Sequence, residues 1–250
     1  MLRAIISDIH SNVEALDAVL ADVARRKVES IVCLGDVIGY GPQPRETLKR
    51  STEWEITLLG NHEEACMFHP EDFNERARIA LEWTRDQLNS KSASPDDNFK
   101  LWSLIGAMPT QHKIDNALLV HGSPRDPVHE YIMKTDVIFV PDKIRDIFTQ
   151  VEKLCFVGHT HFPGVFTADL RFRDPSQFDY VFEWKGERAI VNVGSVGQPR
   201  DGDPRACCVI VEDNTIRFLR TDYDVATVQR KIYDNPNIPD LCAARLEIGK

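Results

Sequence analysis

Carboxylate, amide and imidazole groups recur through the chain in short motifs: Asp8-x-His10, Gly35-Asp36, Gly60-Asn61-His62-Glu63, His121-Gly122 and Gly158-His159-Thr160-His161. Mixed nitrogen and oxygen donors of this kind suit Mn, Fe, Zn or similar ions. An all-oxygen set favours Mg or Ca, and thiolates favour structural Zn. Asp36, on a loop straight after a strand-like run, has two oxygens to share between cations, as two-metal sites require. A lone histidine in such a place more often serves a structural hydrogen bond. Agreement among five separate segments argues instead for a dinuclear metal centre.

The elements that must position these groups are visible beside them. Asp8, Asp36, Asn61, His121 and His159 each follow a short apolar run: LRAIIS, SIVCL, ITLL, ALLV and LCFV. In an open α/β sheet the carboxyl ends of such strands share one edge, where ligands bind. Residues 2–7, 30–34, 56–59, 117–120 and 154–157 therefore read as strands. Asn12 caps a helix with apolar residues Val13, Leu16, Val19, Leu20 and Val23 at helical spacing. A short helix is expected at 45–50 and another around 142–151.

Between about 69 and 110 the strand rhythm gives way to helices at 74–89 and 99–105, separated by the loop SKSASPDD. This insertion either shapes one wall of the cleft or covers the sheet. The later half reads as β-rich, with strands at 164–167, 180–184, 189–193, 206–212 and 215–221, and Asp213-Asn214 suits a hairpin turn. A tail packed on the surface is expected from about residue 234. The 250 residues suit one domain, 1–250, carrying the insertion.

The net charge of −9, from 30 Lys and Arg against 39 Asp and Glu, argues against general nucleic-acid coating or anchoring on anionic lipid. A small phosphorylated substrate stays compatible, because bound metal reverses the local field. Asp8 and His10 interrupt the first apolar run before it can serve as a signal segment. No stretch is long enough to span a bilayer. The six cysteines show no CxxC framework, so a reduced cytoplasmic setting is expected. No GK[ST] loop is present, and Gly194-Ser195-Val196-Gly197 lacks nucleophile-elbow spacing.

Taken in order, the five motifs resemble those of the calcineurin-like metallophosphoesterases, over residues 5 to about 200. The small bacterial and archaeal phosphodiesterase-like branch is the most similar, through GDVIGYGPQP, HGSP and NVGSVGQPR. The resemblance implies a four-layer α/β/β/α sandwich, two mixed β-sheets flanked by helices. It implies two divalent metal ions, Mn foremost, with Fe, Zn, Ni, Co or Mg as alternatives. Asp8, His10, Asp36 and His161 would hold one; Asp36, Asn61, His121 and His159 would hold the other.

His62 then protonates the leaving oxygen or steadies the phosphoryl group, as imidazolium in either role. Two cations roughly 3.5–4 Å apart clamp the attacking and leaving oxygens and acidify a shared water, which attacks directly. Arg200 holds a phosphate oxygen or is a solvated or salt-bridged loop residue, and Arg125 has a similar claim. Tyr40 lines the cleft or packs in a turn. The implied activity is hydrolysis of a small phosphodiester or phosphomonoester. A phosphoprotein phosphatase and a non-catalytic metal-binding scaffold are the alternatives.

Overall fold

The computed structural model describes residues 1–68 and 73–250. In chain order the elements are β1 (Arg3–Ile6), α1 (Val13–Arg25), β2 (Ser30–Cys33), α2 (Pro44–Arg50), β3 (Ile56–Thr57), α3 (Asn61–Met67), α4 (Glu75–Leu88) and α5 (Pro95–Gly106). There follow β4 (Gln111–Ile114), β5 (Ala117–Val120), α6 (Asp136–Phe139), α7 (Pro141–Thr149), β6 (Leu154–Val157), β7 (Gly164–Thr167) and β8 (Arg171–Arg173). The chain ends in β9 (Val181–Glu183), β10 (Ala189–Asn192), β11 (Ala206–Glu212), β12 (Thr215–Thr221), α8 (Val225–Tyr233) and α9 (Leu241–Ala244).

The strands form two mixed sheets, ordered β3-β2-β1-β11-β12-β9 and β4-β5-β6-β10-β7-β8. The parallel trio β1, β2, β3 sits in the first sheet and the parallel trio β5, β6, β10 in the second. Alternation along each strand splits the core, because successive side chains point to opposite faces. Ile5, Val32 and Val209 meet Leu119, Phe156 and Val191 between the sheets. Ala4, Ile6, Cys33 and Cys208 face outward onto Leu16, Val19, Leu81 and Leu101 of the flanking helices. On the far side Val120, Cys155, Val157 and Ile190 face Ile144, Ile147 and Phe148 of α7. Helices, sheet, sheet and helices make the four expected layers.

Several local boundaries differ from the sequence expectations. The loop assigned to SKSASPDD ends early, since α5 starts at Pro95. Ser94 accepts the Asp97 amide at 3.1 Å as N-cap, proline's fixed φ suits the first turn, and Asp96 and Asp97 favour the helix N-terminus. The third strand is only two residues long; the Leu58 and Leu59 amides bond to the carbonyls of Cys33 and Pro109. β4, β8 and α8 were not expected. Gln111–Ile114 is half exposed and lacks an apolar face, so it becomes a strand only through pairing with β5.

The insertion does both things considered for it. Leu81, Leu88, Leu101 and Ile105 cover the first sheet's outer face, while Phe73 and Asn74, just ahead of α4, border the cleft. Its first residues, 69–72, lie outside the described part of the chain. The segment after 234 is not merely laid on the surface: Ile238, Cys242, Ala243 and Leu246 are buried with Val228 and Ile232 of α8, and Tyr40 packs against them. Among the described residues, no helix is long and apolar enough to cross a membrane.

Candidate metal centre

Asp8, His10, Asp36, Asn61 and His62 follow strands of the first sheet, and His121, His159 and His161 follow strands of the second. The five strand-end residues thus meet across two facing sheets, not along one edge. All eight are buried.

Their donor atoms form two groups. Asp8 Oδ1 and His10 Nε2 lie 3.1 Å and 3.1 Å from His161 Nε2, and Asp36 Oδ2 lies 3.7 Å from His10 Nε2. On the other side His121 Nε2 lies 3.1 Å from Asn61 Oδ1, 3.1 Å from His159 Nδ1 and 3.4 Å from Asp36 Oδ2. Asp36 belongs to both.

Each of four histidines directs its other ring nitrogen at a backbone carbonyl. His10 Nδ1 faces Ile38 O at 3.2 Å, His121 Nδ1 faces Leu34 O at 3.1 Å, His159 Nε2 faces His129 O at 3.0 Å and His161 Nδ1 faces Gln198 O. A carbonyl can only accept, so that nitrogen carries the proton and the nitrogen facing the cluster is a bare lone pair in the neutral ring. In the His10–His161 pair two lone pairs 3.1 Å apart repel without a cation between them. Ligands about 2.1 Å from a shared cation lie about 3 Å from one another, so the spacing itself fits divalent metal.

Electrostatics point the same way. Burial alone would raise the Asp36 pKa, but His121 and His62 hold it well below the ordinary carboxylate range. Burial disfavours a charged His121, yet Asp36 prevails and pushes its pKa up to about 9. In the absence of a cation a proton at His121 supplies the positive charge that the carboxylates demand, and metal would displace it.

The backbone is strained where it carries these donors. Asp8 (φ 54°), His10 (48°), Asp36 (53°), His159 (63°) and His161 (63°) adopt left-handed conformations, which cost side-chain-bearing residues about 1–3 kcal/mol each. A dense set of bonds retains them. Asp8 Oδ2 accepts the His159 amide at 3.0 Å, and Asp36 Oδ1 accepts the His62 amide at 2.9 Å. Ser195 Oγ donates to Asp8 O at 2.7 Å, while Asn192 Nδ2 donates to Gly158 O and Thr160 Oγ1. At Gly158 a Cβ would run into Ser7 and Asp8, so the close approach of the two sheets requires glycine there.

His62 differs from the other four rings. Its Nε2 is 4.0 Å from Asp36 Oδ2, and its buried Nδ1 has no hydrogen-bond partner among the described residues. Proximity alone does not set it apart, because His10, Asp36 and His62 also offer donor atoms within 4.8 Å of one another. The missing carbonyl tether does. Burial pushes its pKa down to about 4, against the pull of Asp36. The imidazolium expected from the sequence is therefore not its resting form near neutral pH.

Of the three substrate-contact expectations, the structure brings two to the cleft. Tyr40 lies 4.8 Å from the His10 ring and 4.5 Å from the His62 ring, centroid to centroid. Arg200 sits over the Tyr40 ring at 5.8 Å and donates to Gln198 Oε1 at 2.7 Å. Arg125 takes the other reading given for it, a salt-bridged loop residue: its fork is held by Glu130 and, at 2.6 Å, by Asp146. It braces the loop after His121.

Other residues at the site escaped the sequence reading. Tyr131 stacks on His159 at 3.7 Å, and Phe73 meets His62 edge-on at 5.2 Å. Glu63, fully buried, accepts the amides of Asp36, Ile38 and Gly60. Its position three residues after Gly60 has capping-box spacing, the one local signal for it.

Comparison with known proteins agrees with this geometry. The chain is 32% identical over 253 residues to the uncharacterized protein MJ0912 of Methanocaldococcus jannaschii, covering 99% of this chain and 98% of that one. The crystal structure of a metallophosphoesterase from Sphaerobacter thermophilus superposes with a TM-score of 0.82 at 34% identity, over 100% of this chain and 99% of that one. A hypothetical protein, PH1004, from Pyrococcus horikoshii OT3 shares the fold, with a TM-score of 0.76 at 17% identity over 100% and 98% of the two chains. The family model of the calcineurin-like phosphoesterase superfamily domain matches residues 1–215, and the chain belongs to that superfamily.

Proposed function

We propose that the chain hydrolyses a small phosphodiester or phosphomonoester with two divalent cations. Asp8, His10, Asp36 and His161 hold one, and Asp36, Asn61, His121 and His159 hold the other. The observation that carries this reading is the pair of lone-pair clusters joined at Asp36, with the untethered His62 beside them. Bound cations, Mn foremost and Fe, Zn, Ni, Co or Mg as alternatives, supply positive charge to the phosphoryl oxygens and an acidified water for direct attack.

The chain's own residues position and screen. Asp8 and Asp36 each fix one oxygen on a backbone amide and leave the other to the centre. His62, neutral at rest, offers a ring N–H to a phosphoryl or leaving oxygen. Tyr40, Phe73 and Tyr131 wall a cavity of about 250 Å³ above Asn61 and His159, which suits a small substrate better than a peptide. The charge of −9 likewise favours a small phosphorylated molecule over nucleic acid.

Hydrolysis of a bis-aryl phosphodiester, an aryl phosphomonoester and a phosphopeptide, with Mn supplied, tests the proposal. Turnover of either aryl ester above the phosphopeptide is expected. Exclusive turnover of the phosphopeptide would favour a protein phosphatase. No turnover of any substrate by metal-loaded protein would leave a scaffold.

A further inference from the structure

The cleft does not end at the donor clusters. A second cavity, of about 400 Å³, shares Tyr40 and Asn74 with the first and continues to Glu75, Arg76, Leu241 and Arg245, so its wall carries two guanidinium groups against one carboxylate. Arg245 comes from the chain's last turn, which packs against Tyr40 through the small core of α8 and α9. Its Nη1 donates to Gln198 Oε1 at 3.2 Å, and its Nε donates to the main-chain oxygen of Lys250. Arg200 donates to the same Gln198 oxygen through Nη2 at 2.7 Å and Nε at 3.3 Å.

Two guanidinium groups therefore share one neutral amide oxygen; among the described residues no Asp or Glu pairs with either, and the further partner of Arg245 is the oxygen of Lys250, the last residue. Like charges gathered in this way repel, and the arrangement is relieved by an anion. Burial, and after it the neighbouring Arg200, lower the Arg245 pKa. Arg125, Arg205 and Arg220, by contrast, are each matched by carboxylates. Gln198 also ties the pair to the centre, because its main-chain oxygen accepts from His161 Nδ1.

We infer that the second cavity, through Arg245 and Arg76 on its wall with Arg200 beside Arg245 at Gln198, binds a second anionic group of the substrate. The substrate class is then a phosphate ester bearing a further phosphate or carboxylate. This rests on the phosphoesterase reading for the first cavity, but its test does not depend on turnover.

Calorimetric titration of the Mn-loaded protein with methylphosphonate, butane-1,4-bisphosphonate and 4-phosphonobutanoate separates one anion from two and phosphate from carboxylate. At least one of the two-anion probes is expected to bind about ten-fold more tightly than methylphosphonate. Arg245→Gln should erase that preference. Arg171→Gln, the same charge change at an exposed site on β8, should keep it. Arg76→Gln, on the exposed face of α4, gives the same test should Arg245→Gln fail to fold. Equal affinities in the wild type, or a preference surviving both Arg245→Gln and Arg76→Gln, would overturn the second site. A preference without ester hydrolysis would leave the site standing and sink the phosphoesterase reading.

Discussion

Glu63 accepts the Asp36 amide at 2.8 Å and the Gly60 amide at 3.0 Å, so a carboxylate outside the donor clusters joins two loops that carry them. Its other oxygen takes the Ile38 amide at 3.0 Å. Burial and the nearby Asp36 raise its pKa to about 7, while the amide donors oppose that rise. Glu63→Gln keeps one acceptor oxygen and turns an NH₂ group toward backbone N–H. It should lose about 1–3 kcal/mol of stability, the cost of a buried donor left without a partner. It should also lower metal content, read together by thermal unfolding and elemental analysis.

His62 has a different signature, because it touches the centre without the carbonyl tether shared by the other four rings. His62→Ala should reduce turnover about 10²–10⁴-fold, the usual contribution of a positioned proton donor, while metal content stays at the wild-type level. Loss of metal in parallel with turnover would make His62 a ligand.

The strand-end residues were legible in the sequence because a donor just past a buried apolar run needs only the run to form. The fold class, two mixed sheets flanked by helices, followed from the family resemblance; periodicity showed only an α/β half and a β-rich half. What stayed hidden depends on distant contacts. Glu63 acts through amides up to 27 residues away, and Arg245 becomes a cleft residue only when α8 and α9 close against Tyr40. β4 has no hydrophobic alternation to reveal it, and Pro95, which looks like loop punctuation, instead starts a helix. The phosphate-contact and salt-bridged readings of Arg125 both stayed open because its carboxylates, Glu130 and Asp146, come from later segments.

The Arg125–Glu130 brace predicts a pH effect on stability. Burial raises the Glu130 pKa, but hydrogen bonds from Arg125 and Ser123 outweigh it, leaving the folded-state value below the ordinary 4.5. A depressed carboxylate pKa stabilises the fold above its unfolded value, and that share is lost as pH falls through the folded value. Glu130→Gln should therefore be less stable than wild type at pH 7, with the gap shrinking from about pH 5 downward. Denaturant unfolding at several pH values reads this directly; a gap independent of pH would assign the effect to packing.

The central claim is that Asp36 serves both cation sites, since its Oδ2 approaches His10 Nε2 and His121 Nε2 alike. Metal content per chain, measured for the wild type and Asp36→Asn alongside ester hydrolysis, tests it most directly. The account predicts two divalent ions per wild-type chain, and the loss of both ions and of turnover in Asp36→Asn. Wild-type hydrolysis by a metal-depleted Asp36→Asn protein would contradict it.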